Sequence, residues 1–168
     1  MLYDHNVGND AVYAPARADI VIRSQASQKP PKVATPAKTF QTSTSIGNRI
    51  DVNKLTSYLS GITRQTTTRK CARSVRLALQ AAGAQVQGHP VAAADWGSTL
   101  LKIGYKKINL SFDHPQKGDI YIINRTAKNQ YGHIAAYSGK AWVSDFKQRS
   151  HDVYRNQNVT YSYYRLAD

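Results

Sequence analysis

The residue best suited to covalent chemistry is Cys71, the only cysteine in the 168 residues. A lone cysteine cannot form an intramolecular disulfide. Cys71 follows Arg69 and Lys70 at the start of a segment with helical periodicity. Unpaired N–H groups at a helix N-terminus and neighbouring cations both stabilise a thiolate. The pattern therefore predicts a nucleophile with a lowered pKa, against the ordinary alternative of a small buried apolar side chain.

A thiol nucleophile works with a base at hydrogen-bond distance, which a third polar group orients. Of the five histidines, only His133 lies inside a strong strand pattern. Strand alternation places His133, Ala135 and Tyr137 on one face, and Ile134 and Ala136 on the other. The small neighbours leave space for another group to approach. His133 is therefore predicted to be the base, and a merely half-buried histidine is the alternative.

Asp145 is predicted to be the third member of this site. If the hairpin loop comprises residues 138–140, Tyr137 pairs with Ala141 and His133 lies directly opposite Asp145. Their Cβ atoms would then be ~4.5–5.5 Å apart. A carboxylate at that distance would fix the imidazole tautomer. A two-residue loop would put the two side chains on opposite faces, and an ordinary strand-end acid is the alternative.

The elements that must position these residues belong to an α+β fold. Helical periodicity covers residues 51–59, 70–82 and 96–103, and strand patterns cover 119–123, 132–137, 141–146 and 159–166. Helices followed by an antiparallel sheet define that class. Thr67 or Thr68 is expected to cap the second helix, and Gly83 to end it.

The first 48 residues differ in composition from the remainder. Prolines and small polar residues dominate residues 24–45, which predicts an extended or disordered N-terminal segment or linker over residues 1–48. Residues 18–23 could add an edge strand. The catalytic domain is expected to cover residues 49–168.

The charge balance, 23 − 10 = +13, implies an anionic partner: nucleic acid, an anionic membrane face or an acidic polymer such as the cell wall. All ten acidic residues are aspartates. The lack of glutamate excludes glycosidases with a Glu acid, zinc proteases with an HExxH helix and Glu-dependent deaminases. No apolar run approaches the ~20 residues of a membrane span. Residues 1–22 lack the apolar core of a signal peptide, so we expect synthesis in the cytoplasm without one.

Four segments together resemble the NlpC-type and CHAP (cysteine, histidine-dependent amidohydrolase/peptidase) families over residues 50–168. They are Lys70-Cys71-Ala72, Lys117-Gly118-Asp119-Ile120, Tyr131-Gly132-His133-Ile134-Ala135 and Trp142-Val143-Ser144-Asp145-Phe146. The resemblance implies a papain-like fold and cleavage of an amide bond in peptidoglycan, with neither metal nor cofactor. By position it implies Cys71 as nucleophile, His133 as base and Asp145 as the polar residue on the next strand.

The same resemblance suggests a biological setting. The protein would be an antibacterial effector that a machine such as type VI secretion exports into the periplasm of a target bacterium. An immunity protein would inhibit it. A phage or bacteriocin-type lysin is the alternative. Two other functions remain open: a basic nucleic-acid-binding module with an incidental cysteine, and a cysteine protease or amidase acting on host proteins.

Overall fold

The computed structural model describes residues 49–155 and 157–168. The N-terminal segment predicted over residues 1–48, with its edge strand, lies outside the described residues. The elements are α1 (Val52–Ile62), α2 (Cys71–Ala81), a 3-10 helix (Ala93–Asp95), α3 (Gly97–Lys102), β1 (Tyr105–Ile108), β2 (Ile120–Ile123), β3 (His133–Tyr137), β4 (Trp142–Val143) and β5 (Tyr161–Leu166). No helix within the described part has the length and apolar character needed to cross a membrane.

The helices precede an antiparallel sheet with the strand order β1-β5-β2-β3-β4, which confirms the α+β class. Strand β1 was not predicted. Lys106 and Lys107 at its centre are exposed and interrupt the apolar alternation. The strand exists because it pairs with β5 at the edge of the sheet.

Helix α2 packs its predicted apolar stripe into the core on one face of the sheet. Val75, Ala78 and Leu79 are buried and join a cluster that includes Ile134 of β3. Gly83, at φ +98°, follows the end of this helix, as expected. Burial of the stripe sets the position of the first residue of the helix, Cys71.

Strand β3 separates two cores, as its alternation predicts. Ile134 and Ala136 belong to the helix-side cluster, whereas Ala135 lies with Tyr121 in an aromatic cluster on the other face. The His133 ring is on this second side, with its centroid 6.1 Å from that of Tyr121. The histidine is therefore held at the start of a strand that is buried on both faces.

The predicted hairpin register is wrong by one residue. Tyr137 pairs with Trp142, not with Ala141, so the loop comprises four residues. Its first residue, Ser138, closes the turn by donating from both its N–H and its Oγ to the Ala141 carbonyl, each at 2.9 Å. Asp145 consequently does not lie opposite His133.

The strand predicted over 141–146 ends early, at Val143. The chain reverses over residues 144–146, so that Val143 forms an antiparallel bridge with Lys147. The Gln148 N–H then donates to the Trp142 carbonyl at 3.0 Å. This reversal places residues 147 and 148 beside β4, from where the Gln148 side chain reaches His133.

Candidate active site

Cys71 is the first residue of α2, and its side chain is partly buried. The neighbouring strand supplies an unusual donor. Because Tyr137 exchanges backbone hydrogen bonds with the β2 side of the sheet, alternation directs the Ile134 N–H to the opposite side. Strand β4 ends at Val143 and does not reach that position. The Ile134 N–H instead lies against the Cys71 thiol, which places the sulfur beside the strand residue that follows His133.

The thiol is predominantly protonated at neutral pH. Burial raises the pKa of Cys71 above its usual 9.0, and the negative charge of Asp145 acts in the same direction. The N–H groups of Ile134, Ala72 and Cys71 lower the pKa but do not cancel the burial effect. The prediction of a lowered pKa is therefore wrong, because the helix end that favours a thiolate also buries it.

His133 is neutral at the same pH. Only 5% of its surface is exposed, and this burial lowers the imidazole pKa from its usual 6.5. The hydrogen bond with Gln148 and the charge of Asp145 oppose the shift without reversing it. Burial thus favours a neutral thiol and a neutral imidazole, and the imidazole can accept a proton.

The side chain that orients His133 is Gln148. Its Oε1 lies 2.8 Å from His133 Nε2. The direction of this hydrogen bond follows from the other end of the Gln148 amide. There, Gln148 Nε2 lies 3.1 Å from the Ser150 carbonyl and 2.6 Å from the Tyr121 hydroxyl. A carbonyl only accepts, so the amide nitrogen must face Ser150 and the amide oxygen must face the histidine. His133 Nε2 therefore carries the hydrogen, and Nδ1 is the free base.

The network that holds Gln148 is complete. The Tyr121 hydroxyl accepts from Gln148 and donates to the His151 carbonyl at 3.1 Å. Every polar atom of the Gln148 amide thus has a partner, and the side chain is 4% exposed. A buried and fully satisfied amide holds one orientation.

Asp145 occupies a different place from the one predicted. Its Oδ2 accepts hydrogen bonds from both hydroxyls of the loop before Cys71, those of Thr67 and Thr68, each at 3.0 Å. It also accepts from the N–H of Thr68 and, at 3.4 Å, from that of Lys70. Although burial opposes ionisation, these donors hold the pKa of Asp145 below its usual 3.8. Asp145 therefore fixes the loop that precedes Cys71.

The prediction that Thr67 or Thr68 caps α2 is wrong, because Asp145 binds both hydroxyls. The residue before the helix, Lys70, makes no side-chain capping bond. The hydroxyls of Thr67 and Thr68 donate to Asp145 and do not accept from the helix N–H groups.

The sequence carries no local signal for Gln148. It lies between Lys147 and Arg149 in a polar stretch, with no strand periodicity around it. A regular hairpin would place the partner of His133 on the opposite strand, whereas Gln148 reaches the imidazole only after the chain has reversed.

Known proteins similar to this chain include one family and two crystal structures. The profile of the family described as bacteriophage peptidoglycan hydrolase matches residues 55–162. One structure is the type VI native effector-immunity complex Tae3-Tai3 from Ralstonia pickettii. It is 30% identical, with a TM-score of 0.60, and the match covers 70% of this chain and 99% of that chain. The other is the selenomethionine form of that complex, with 30% identity, a TM-score of 0.58 and coverage of 67% and 99%. No curated protein matches the chain.

Proposed function

We propose that this chain, which belongs to the bacteriophage peptidoglycan hydrolase family, cleaves an amide bond of the peptide stem with Cys71 as nucleophile and His133 as base. The observation that carries the proposal is the Cys71 thiol against the N–H of Ile134, the residue that follows His133 in β3, together with the His133 Nε2 held by Gln148. The chain order of three residues also supports the papain-like relationship to the NlpC-type and CHAP families. A cysteine at the start of a helix is followed by a histidine on a strand and then by a polar residue.

The proposed reaction is acyl transfer through a thioester. His133 Nδ1 accepts the Cys71 proton as the sulfur attacks the carbonyl carbon. The resulting imidazolium is stabilised by Gln148 Oε1 and by the charge of Asp145, which both favour the protonated ring. It then protonates the departing amine. Water, deprotonated by the same imidazole, attacks the thioester, releases the carboxylic acid and regenerates the thiol.

Negative charge develops on the carbonyl oxygen during both attacks and needs hydrogen-bond donors. The backbone N–H of Cys71 is suitable because α2 begins there, and the first N–H groups of a helix have no partner within the helix. Asp145 holds the preceding loop, including the Lys70 N–H. We infer that Asp145 contributes by fixing this donor and not by contacting His133.

We further propose that the protein is an antibacterial effector that acts on the cell wall in the periplasm of a target bacterium. The support is the likeness to effector-immunity complexes over 99% of their effector chain at 30% identity. By the same likeness, an immunity protein would inhibit it by covering the site. Delivery to the periplasm of a sensitive cell should cause lysis, and co-expression of the cognate immunity protein should prevent it. A lysin would lyse cells with no such protector.

The test of the enzymatic proposal is digestion of purified peptidoglycan sacculi. Mass spectrometry of the released muropeptides should show one new carboxyl and one new amine per cut with the wild-type chain. The Cys71→Ala variant should release neither, and its melting temperature shows whether it is folded. Intact sacculi with the wild-type chain would contradict the proposed function. Equal products from both proteins would exclude Cys71 as nucleophile.

A further inference from the structure

We propose that the Arg69 guanidinium binds a free carboxylate of the peptide stem close to the scissile amide and so selects stems in which that group is not amidated. The inference rests on the proposed function, since it names a substrate contact for the same site. It starts from a feature of the backbone that the catalytic residues do not explain.

Arg69 has a φ of +61°, and it is the only described residue other than glycine with a positive φ. The other six described positions of this kind are all glycines. An L-residue in the left-handed region brings its Cβ close to the following carbonyl oxygen, a clash that glycine avoids. Strained residues of this type concentrate at functional sites. An arginine at this position therefore suggests that its side chain is used.

The backbone conformation is imposed by Asp145. Its carboxylate accepts from the N–H groups on both sides of Arg69, those of Thr68 and Lys70. The Arg69 N–H itself donates to Thr67 Oγ1 at 3.1 Å. None of these contacts uses the Arg69 side chain, so the loop could make them with a glycine at position 69 and less strain.

The Arg69 side chain has no role within the described fold. The residue is exposed, and among the described residues its guanidinium donates no hydrogen bond and forms no ion pair. The left-handed conformation at Arg69 is thus maintained without any polar contact from its side chain to the described residues.

The surroundings favour an anion. No acidic residue lies between Asp51 and Asp95 in the sequence, whereas Lys70 and Arg73 are both exposed near the start of α2. The nearest acid, Asp145, is 2% exposed, and its carboxylate is occupied by the loop. An exposed cationic surface therefore flanks Cys71.

The class of anion follows from geometry. Arg69 is two residues before Cys71, so their Cα atoms are at most about 7 Å apart. The guanidinium therefore lies within reach of the stem residue that carries the scissile amide, or of its neighbour, when that amide is bound at Cys71. The planar fork of arginine matches a carboxylate in a bidentate manner. Stem peptides contain γ-linked residues whose α-carboxyl group is either free or amidated, and only the free form offers two acceptor oxygens.

The experiment compares two purified muropeptide substrates that differ only in whether the stem carboxyl is free or amidated. The wild-type enzyme should prefer the free carboxylate by about 10-fold or more in kcat/KM, the contribution of a charge-assisted pair. Arg69→Gln and Arg69→Gly should each lose this preference through a higher KM for the free-carboxylate stem, with the amidated stem unaffected. Arg69→Lys should retain part of it.

Stability separates a substrate contact from a structural role. Arg69→Gly relieves the backbone strain, so its melting temperature should equal or exceed that of Arg69→Gln, although both lose the preference. Lys107→Gln removes a charge from β1, at the far edge of the sheet, and should keep the wild-type preference.

Two outcomes overturn the inference while leaving the proposed function intact. One is a wild-type enzyme that cleaves both substrates equally well. The other is an equal loss of activity on both substrates in the Arg69 variants. An equal loss would mean that the substitutions disturb the loop and do not remove a carboxylate contact. If the wild-type enzyme cleaves neither muropeptides nor sacculi, the proposed function itself fails.

Discussion

His133 Nε2 lies 2.8 Å from Gln148 Oε1, and the Ser150 carbonyl fixes which end of the amide faces the ring. This contact assigns the tautomer of the histidine and leaves Nδ1 free to accept a proton. A neutral amide orients the imidazole in place of the predicted carboxylate.

Replacing Gln148 by Ala should lower kcat/KM by about 10²- to 10³-fold, because the imidazole loses the partner that selects its tautomer. Steady-state kinetics on a muropeptide substrate measures this loss. Gln148→Glu provides a second readout, since a carboxylate at this distance should raise the His133 pKa and move the acidic limb of the pH profile upward. Unchanged activity in Gln148→Ala would show that the contact is only structural.

Tyr121→Phe should reduce kcat/KM by about 10-fold, because the Gln148 amide loses one of its two acceptors and is held less firmly. The expected loss of stability is about 1 kcal/mol, the usual value for one hydrogen bond. Tyr163→Phe is the matched control, because that hydroxyl donates to Asp119 at 2.7 Å, away from the histidine. The control should lose stability, measured by denaturant unfolding, while its kcat remains that of the wild type. Equal kcat values for the wild type, Tyr121→Phe and Tyr163→Phe would refute a positioning role for Tyr121.

The pH profile of kcat/KM should have a broad plateau. In the proposed active form, Cys71 and His133 share one proton between the sulfur and Nδ1. A second proton binds only when His133 is protonated, which requires a pH below 6.5 because its pKa is lowered. The pair loses the shared proton only when the Cys71 thiol, whose pKa is raised, ionises above pH 9.0. The two limbs belong to the coupled pair. Activity should therefore fall below pH 6.5 and above pH 9.0.

Iodoacetamide alkylation of Cys71 gives an independent check, since its rate follows the thiolate fraction. The rate should be low at neutral pH and increase mainly above pH 9.0. Rapid alkylation at pH 5 would indicate a preformed thiolate–imidazolium pair and would contradict the neutral resting state.

Asp145→Asn should destabilise the protein by about 1–3 kcal/mol, because the loop loses charge-assisted hydrogen bonds. It should also lower the Cys71 pKa and so accelerate alkylation at pH 8, since the carboxylate charge raises that pKa. The wild-type contribution of Asp145 is present above its usual pKa of 3.8 and disappears as the pH falls through its lowered folded-state value. Denaturant unfolding at pH 7 and pH 3 should show the difference between the proteins shrinking at the lower pH. Asp152→Asn, at an exposed position, is the control.

The sequence alone determined the two elements that carry Cys71 and His133, the proposed reactive pair. The stripe of Val75, Ala78 and Leu79 can be buried only if α2 packs on the sheet, which places Cys71 at its outer end. The alternation in β3 decides which face His133 occupies. Both features depend on local periodicity, and periodicity is encoded within a few consecutive residues.

Only the tertiary structure decided the third residue and the protonation of the pair. One additional residue in the loop after Tyr137 shifted the register, and the chain reversal over 144–146 brought Gln148, not Asp145, to the imidazole. Neither the loop length nor the chain reversal produces a periodic pattern in the sequence, because each depends on how a turn closes against the rest of the sheet. The Cys71 pKa likewise depends on how deeply the whole domain buries the sulfur, and that burial exists only after the distant elements have packed together.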